Sequence, residues 1–398
     1  MNLLVISERF WPEGSGGTLA TYLITKLLVT CGFRVTVITG TRNPAKIGSV
    51  EFVVDEAFRI PNKPARWLYF LVPSVRKRYK DLMRRFDIVY IPFGYPLIPL
   101  AKELDKKVIV HLHDYQLVAY NSTILHDQQR GLVSDIRAEF TFEILEHSSI
   151  KRAMAGSLLT PLLTRLCRSW VREADTIICV SRRQAKIVSD RVSELAHKIR
   201  VMYNPLPEIP SPKEKFRNPT FTYAGGESYV KGFHIFMRTA LSTLKREKSV
   251  NFFLSGGVLK REREVLVRRL NDTFRDTFRV FGRLPYEDIL ELYSKSHAVL
   301  VPSVCEEPLP YVVFEAMLTR TLPIASRVGG IPEIVEGTYA ERLMFTPGSP
   351  DEMADRMEVV LSLSRDQLVD IGSKLQEVTL KRFSNDVTKR RLLEVFSV

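Results

Sequence analysis

The sequence predicts an α/β protein of two doubly wound domains that face each other across a cleft. Three observations carry this. Short apolar runs of strand length alternate with amphipathic helical stretches through most of the 398 residues. A segment with five prolines, residues 204–219, interrupts that alternation near the middle. The alternation then restarts, and the length suits two domains of roughly 100–200 residues each.

The elements follow in order. Residues 3–6 are wholly apolar, as a parallel strand covered on both faces requires. A glycine-rich turn at residues 14–17 leads into residues 18–30, which place Leu19, Leu23, Leu27 and Leu28 on a helical stripe. Residues 33–38 close this strand–helix–strand unit. Strand-like runs recur at residues 87–91, 107–112, 175–180 and 200–203, with a long helical stretch over about 126–170. Within that stretch the apolar run 153–167 is broken by Pro161 and Arg165 and reads as a buried helix. Proline lacks an N–H and clashes inside helices, so residues 204–219 are the expected linker and hinge. Strands then follow near residues 220–224, 251–255, 278–281, 298–301 and 322–325.

Composition narrows the function. The formal net charge of +13 suits a polyanionic partner, whether nucleic acid, anionic membrane or phosphorylated substrate. Cys31, Cys167, Cys179 and Cys305 lie far apart, without C-x-x-C or a Cys/His cluster, so neither a zinc site nor a disulfide framework is expected. Reduced thiols fit a cytoplasmic protein. The N-terminus has no signal-peptide pattern, and no run of ~18 apolar residues predicts a membrane span.

In open parallel sheets ligands bind beyond the carboxyl ends of the strands, so residues just after strands are the candidates. The strongest local signal is E-E-P-L-P-Y-V-V-F-E-A-M, residues 306–317. Pro308 and Pro310 hold the chain extended, and a helix is predicted to start near Tyr311. Its N-terminus offers free N–H groups and a positive dipole end to a phosphate. Glu307 before that helix and Glu315 one turn inside it can accept hydrogen bonds from sugar hydroxyls on either side of a diphosphate. A capped surface helix with solvated glutamates would carry the same letters. In Y-A-G-G-E-S-Y-V-K-G, residues 223–232, Lys231 precedes a helix start and can neutralise a diphosphate leaving group. A solvated lysine is the plainer reading of that residue alone.

Gly14 and Gly16 fit the dinucleotide fingerprint, but Leu19 stands where its third glycine belongs and no acidic residue ends the second strand, so NAD is not expected. In H-L-H-D-Y, residues 111–115, His113 and Asp114 emerge at a strand's carboxyl end. His111 shares the strand face with His113 and reads as core; a two-histidine metal site lacks a third ligand. Residues 66–86 carry Arg76, Lys77, Arg78, Lys80, Arg84 and Arg85 against Asp81, with Trp67, Tyr69 and Phe70 at the start. That pattern suits an anionic membrane surface and a solvated surface helix equally.

Taken together, these motifs resemble the retaining GT-B glycosyltransferases of family 4, the glycosyl transferases group 1. That family carries Glu-x7-Glu in this place, often as E-G-F-G or E-P-x-P followed by an apolar run and E-A-M. P-I-A-S-R-V-G-G-I-P-E-I-V, residues 323–335, resembles the family's strand, Gly-Gly turn and following helix. R-F-S-N-D-V-T-K-R-R-L-L-E-V-F, residues 382–396, resembles its terminal helix. The resemblance implies an acceptor-binding Rossmann-like domain over residues 1–204, a nucleotide-sugar-binding one over 205–384, and a helix over 385–398 that crosses back. It implies His113, Glu307 and Lys231 at the reacting centre. It assigns the donor to Gly225, Gly226, Lys231, Arg283, Glu307, Leu309, Tyr311, Val312 and Glu315, with Glu315 at the ribose, and the acceptor to Gly16 and Gly17. No metal and no cofactor is implied beyond the nucleoside-diphosphate sugar; the implied acceptor is a glycan or a lipid-linked group, reached from the cytoplasm or the inner face of a membrane. Where the family usually has G-R-L-x-x-x-K-G, this chain has Gly226 in place of the arginine, and Arg283 in F-G-R-L-P is the candidate replacement.

Two other readings fit the same composition. An epimerase or hydrolase on this fold would consume nucleotide sugar without an acceptor. A basic, non-catalytic nucleotide- or nucleic-acid-binding protein would also suit the charge and Gly226. No RNP, zinc-finger or helix-turn-helix pattern occurs, so no specific nucleic acid is expected.

Overall fold

The computed structural model describes residues 1–246, 249–257, 259–274 and 277–397. Strand β1 (Asn2–Ser7) is buried on both faces: Leu4 and Ile6 enter one apolar cluster, Leu3 and Val5 another, as alternation of side chains across a strand dictates. With β2 (Arg34–Thr39), β3 (Glu51–Val54), β4 (Ile88–Ile91), β5 (Lys107–Leu112), β6 (Thr176–Cys179) and β7 (Ile199–Val201) it forms a parallel sheet in the order β3-β2-β1-β4-β5-β6-β7. A second parallel sheet holds β8 (Thr220–Tyr223), β9 (Asn251–Leu254), β10 (Phe278–Val280), β11 (Ala298–Val301) and β12 (Leu322–Ala325), in the order β10-β9-β8-β11-β12. The strand order reverses between β1 and β4 in the first sheet and between β8 and β11 in the second. Crevices open at such switch points.

Helices α1 (Gly16–Thr30), α2 (Lys63–Tyr69), α3 (Pro73–Met83), α4 (Leu132–His147), α5 (Ile150–Arg172) and α6 (Arg182–Arg191) accompany the first sheet. Helices α7 (Phe233–Arg246), α8 (Tyr286–Lys295), α9 (Tyr311–Leu318) and α10 (Ile331–Val335) accompany the second. Leu19 and Leu23 of α1 join the apolar cluster of the second sheet, so α1 is wedged between the two halves. The last helix, α11 (Asn385–Phe396), returns to the first sheet, where Leu392 and Phe396 are fully buried beside Leu3 and Val5.

Three expectations need correction. The helical stretch expected over about 126–170 is a hairpin, α4 and α5, broken at Ser148 in the left-handed region (φ 54°). Helix α5 is buried on one side only: Met154, Leu158 and Leu162 are exposed, while Leu163, Cys167, Trp170 and Val171 enter the core and Ala153, Gly156, Thr160 and Thr164 line the rest of the inward face. A run of apolar letters does not say which side of a helix meets the core. The aromatic residues of segment 66–86 do not face outward: Trp67 and Phe70 are core residues, because the apolar side of α2 packs inward. Most of the segment's charges are paired, Arg76 and Lys80 with Glu103, Arg78 with Asp55 and Arg84 with Asp81. No helix among the described residues is long and apolar enough to cross a membrane.

The proline-rich segment is extended, as its letters demand, but it is tied down. The Asn385 side chain bonds both the N–H and the carbonyl of Leu206, and the Tyr311 hydroxyl donates to the Pro205 carbonyl at 2.8 Å. Lys215 is buried and donates to the Ser294 carbonyl and Thr321 Oγ1.

Candidate active site between the sheet tips

The loops after β1, β5, β8 and β11 enclose one cavity of about 560 Å³. Gly16, Gly17, His113, Gly225, Lys231, Arg283, Glu307, Leu309, Tyr311, Val312 and Glu315 all line it. Gly226 lies outside it, in a separate small cavity.

Two helix N-termini open on this space. Pro308 and Pro310 have no N–H to give, and the amides of Leu309, Tyr311 and Val312 find no backbone acceptor among the described residues. The first amides of α1, at Gly16 and Gly17, are free in the same sense. A Cβ on Gly16 would stand 3.3 Å from the Tyr311 ring, and one on Gly17 would stand 3.0 Å from His113 Cβ. Glycine here brings the start of α1 against α9 and the tip of β5. Two positive dipole ends on one cavity make an anion site.

Lys231 is set by its neighbour. Gly232 has φ +78°, and a Cβ there would come within 1.8 Å of the Pro302 carbonyl oxygen, so only glycine turns the chain into α7 at this point. Lys231 Nζ donates to Glu307 Oε1 at 2.7 Å, and Ser303 Oγ donates to the same oxygen at 2.7 Å. Desolvation works against the ammonium charge, but Glu307, together with Cys305 and Glu146, outweighs it and holds the Lys231 pKa above its ordinary value. The Glu307 main chain is seated on the Gly-Gly turn: Gly330 N–H donates to its carbonyl at 2.8 Å, and a Cβ on Gly329 (φ +52°) would fall 1.8 Å from that oxygen.

Glu315 is buried among phenols. The Tyr286 hydroxyl donates to Glu315 Oε1 at 2.9 Å. Burial raises the carboxyl pKa to about 7, with the Tyr286 hydrogen bond pulling the other way. The His113 and His111 rings are tilted by 34° with centroids 4.2 Å apart, and among the described residues neither buried ring nitrogen of His113 has a hydrogen-bond partner. Burial lowers its pKa to about 3, so the imidazole is neutral. His111 is core as expected, with Nδ1 2.7 Å from the Tyr90 hydroxyl. Asp114 turns back on its own loop, its carboxylate accepting from the Gln116 N–H at 2.8 Å.

Gly226 is glycine for a steric reason. Its φ is +59°, and a Cβ would stand 2.4 Å from the Gly256 carbonyl oxygen, so an arginine has no room there. Arg283 reaches the cavity from the next loop and extends toward the first half, with Nη2 3.4 Å from the Gly14 carbonyl oxygen. Sequence reasoning missed Tyr286 and Ser303. Ser303 carried a signal, since it directly follows β11. Tyr286 carried none, because it reaches Glu315 from another helix. Among the described residues no three His, Cys, Asp or Glu side chains gather as metal ligands.

Comparison with known proteins agrees with this geometry. Residues 14–207 match the family described as Glycosyltransferase Family 4, and residues 218–362 match Glycosyl transferases group 1. The chain belongs to this glycosyltransferase family. The glycosyltransferase is 22% identical over 344 residues to a phosphatidylinositol N-acetylglucosaminyltransferase subunit of Homo sapiens, a match covering 84% of this chain and 63% of the human protein. It is 20% identical over 373 residues to the protein of the same name from Arabidopsis thaliana, covering 91% of this chain and 75% of that one. Its fold is that of Anabaena HepE solved in complex with UDP-glucose: TM-score 0.70, 18% identity, 100% of this chain and 99% of the other covered. The glycosyltransferase therefore has the GT-B architecture, two parallel α/β halves facing across a cleft.

Proposed function

We propose that this glycosyltransferase moves a hexosyl group from a nucleoside-diphosphate sugar to an acceptor hydroxyl, with retention at the anomeric carbon. One observation carries the reading: two helix N-termini, Lys231, Arg283 and two carboxylates converge on one cavity of about 560 Å³. That volume suits a ligand of nucleotide-sugar size. The diphosphate lies between the free amides of α1 and α9. Lys231, now paired with Glu307, swings its charge to the phosphates and frees Glu307 to accept from sugar hydroxyls. Glu315, with Tyr286, takes the ribose. Residues 205–384 thus act as the donor domain, residues 1–204 as the acceptor domain, and residues 385–398 tie the first to the second.

In the transfer, the bond from C1 to the diphosphate oxygen breaks while the acceptor oxygen bonds to C1 on the same face. The departing phosphate oxygen takes the acceptor's proton, so no separate base is required. Lys231, Arg283 and the helix N-termini stabilise the charge that develops on the leaving group. Neutral His113 offers a hydrogen bond to the sugar from a ring that has no hydrogen-bond partner among the described residues. Closure of the two halves excludes water and protects the donor from hydrolysis. No step is assigned to a metal ion or cofactor. The names of the human and Arabidopsis relatives favour an N-acetylhexosamine donor and a lipid-linked acceptor met from the cytoplasmic side.

A thermal-shift screen against UDP-, GDP- and ADP-sugars tests the reading. One base class raises the melting temperature, and Glu315→Ala weakens the rise; a flat response to all three overturns it. NMR of the product anomer tests retention. Donor consumption without acceptor would assign the site to an epimerase or hydrolase instead.

A further inference from the structure

Although Leu163, Cys167, Trp170 and Val171 of α5 face the core, part of the α4–α5 hairpin reverses the usual order for a helix pair in water. Its buried side carries Glu139 and Glu143, while Val133 (81% exposed), Leu158 (80%), Met154 and Leu162 face solvent. Ile150, Met154, Leu158 and Leu162 recur every fourth residue, so they form one stripe on the face turned away from α4. Nine large apolar side chains are exposed on this hairpin. Apolar patches of this kind mark surfaces that meet another apolar phase.

The charges that α5 itself contributes are of one sign, although Arg152 pairs with Glu143 and Arg172 with Glu194. Helix α5 carries Lys151, Arg152, Arg165, Arg168 and Arg172 and no acidic residue. At the hairpin's base a cavity of about 310 Å³ is lined by Arg130, Arg165, Arg168 and Arg191 against Asp135 and Asp190. Thr164 also lines it, and among the described residues its buried hydroxyl has no hydrogen-bond partner. An apolar stripe flanked by cations, beside an arginine-rich cavity with a free hydroxyl, matches the acyl–headgroup boundary of a bilayer bearing anionic phosphates. A second copy of the chain would bring the same cations face to face, which argues against self-association through this surface.

We propose that the α4–α5 hairpin is the docking surface of this protein for an anionic lipid bilayer. The hairpin also meets the cleft. Glu146, near the end of α4, accepts from the Val230 N–H at 3.2 Å, next to Lys231, and Ser148 Oγ accepts from Lys260 Nζ at 3.3 Å. Docking therefore brings the rim of the cleft beside Lys231 to the bilayer. With the glycosyl-transfer reading, on which this step rests, it makes the acceptor a membrane-anchored molecule.

The test is flotation with phosphatidylcholine vesicles, with and without phosphatidylglycerol. The full chain floats with the anionic vesicles only, and added salt weakens the association. Leu158→Glu/Leu162→Glu, at two exposed positions, reduces flotation by about tenfold or more. Lys151→Glu/Arg165→Glu, which leaves the leucines in place, reduces it as well and serves where the first variant does not fold. Failure of the wild type to float, or flotation of both variants equal to that of the wild type, overturns the proposal. So does a dimer in sedimentation that Leu158→Glu/Leu162→Glu dissociates while no vesicle is bound. Thermal shift by a nucleotide sugar, measured on the same samples, separates the two questions: without that shift the donor reading falls, while anionic flotation lost in the variants still supports docking.

Discussion

Tyr286, Tyr293 and Tyr311 surround the Glu315 carboxyl and are neutral at pH 7, and among the described residues no cation is paired with it. With its pKa near 7, a large fraction of Glu315 is protonated in the free protein at neutral pH. Ribose hydroxyls donate to a carboxylate, so binding favours the ionised form and expels a proton. Donor affinity therefore rises as pH increases through about 7 and levels off above it. Isothermal titration with the nucleotide sugar identified by the screen checks this, and Glu315→Gln flattens the profile at a lower affinity. An unchanged slope in that variant would remove Glu315 from the donor site. Restoring the family's arginine by Gly226→Arg forces a side chain onto the Gly256 carbonyl at positive φ. It therefore lowers the melting temperature without improving activity, at a cost of about 1–3 kcal/mol. Arg283→Ala instead leaves stability near wild type and raises KM for the donor. The missing arginine was legible in the letters. The reason for it was not, because Gly256 lies thirty residues away in sequence and meets Gly226 only in the fold.

Turns between elements place the side chains of the candidate site, and the Gly-Gly turn after β12 seats Glu307. Gly329→Ala would set a methyl 1.8 Å from the Glu307 carbonyl oxygen, in a left-handed conformation. We expect it to cost about 1–3 kcal/mol in urea melts and to weaken donor binding, although Gly329 does not line the cavity. Normal donor affinity in the Gly329→Ala variant would show that the turn does not set Glu307. At this scale the sequence was informative wherever an element buries both faces. The central strands of both sheets read as apolar runs because neighbours cover them on either side, and α9 began at Tyr311 as its prolines indicated. β3 was missed because its four residues at the sheet edge are exposed at both ends, with no alternation or run to detect. The outward face of α5 was misjudged because its apolar letters are the same whether they meet protein or another apolar phase. Lys231 and Glu307 were legible as motif positions, but their ion pair was not, since they lie on separate loops brought together only when β8 and β11 pair.

At the scale of the whole molecule, the two halves are joined by contacts that also form the site. Ser181 Oγ donates to the Pro308 carbonyl at 2.6 Å, beside Glu307. The Glu333 carboxylate accepts from the Arg182 and Arg183 amides at 2.9 and 2.7 Å, capping α6 from the other half. A further connection runs from α11 to the candidate site. The Phe396 ring lies 5.3 Å from Tyr90, the Tyr90 hydroxyl is 2.7 Å from His111 Nδ1, and His111 packs against His113 in the cavity wall. The C-terminal helix is thus a buttress of the site as well as a cover for the first sheet. Phe396→Ala removes a fully buried ring from this series of contacts and is expected to destabilise the protein by about 3–5 kcal/mol. It should also lower kcat more than it raises KM for the donor, because His113 loses its support while Glu307, Glu315 and Lys231 keep theirs. Leu393→Ala, on the exposed side of the same helix, is the control and should stay within about 0.5 kcal/mol of wild type. Urea denaturation and steady-state kinetics on both variants decide the matter. Equal effects at the two positions would mean that α11 acts only as a lid on the sheet, with no connection to His113.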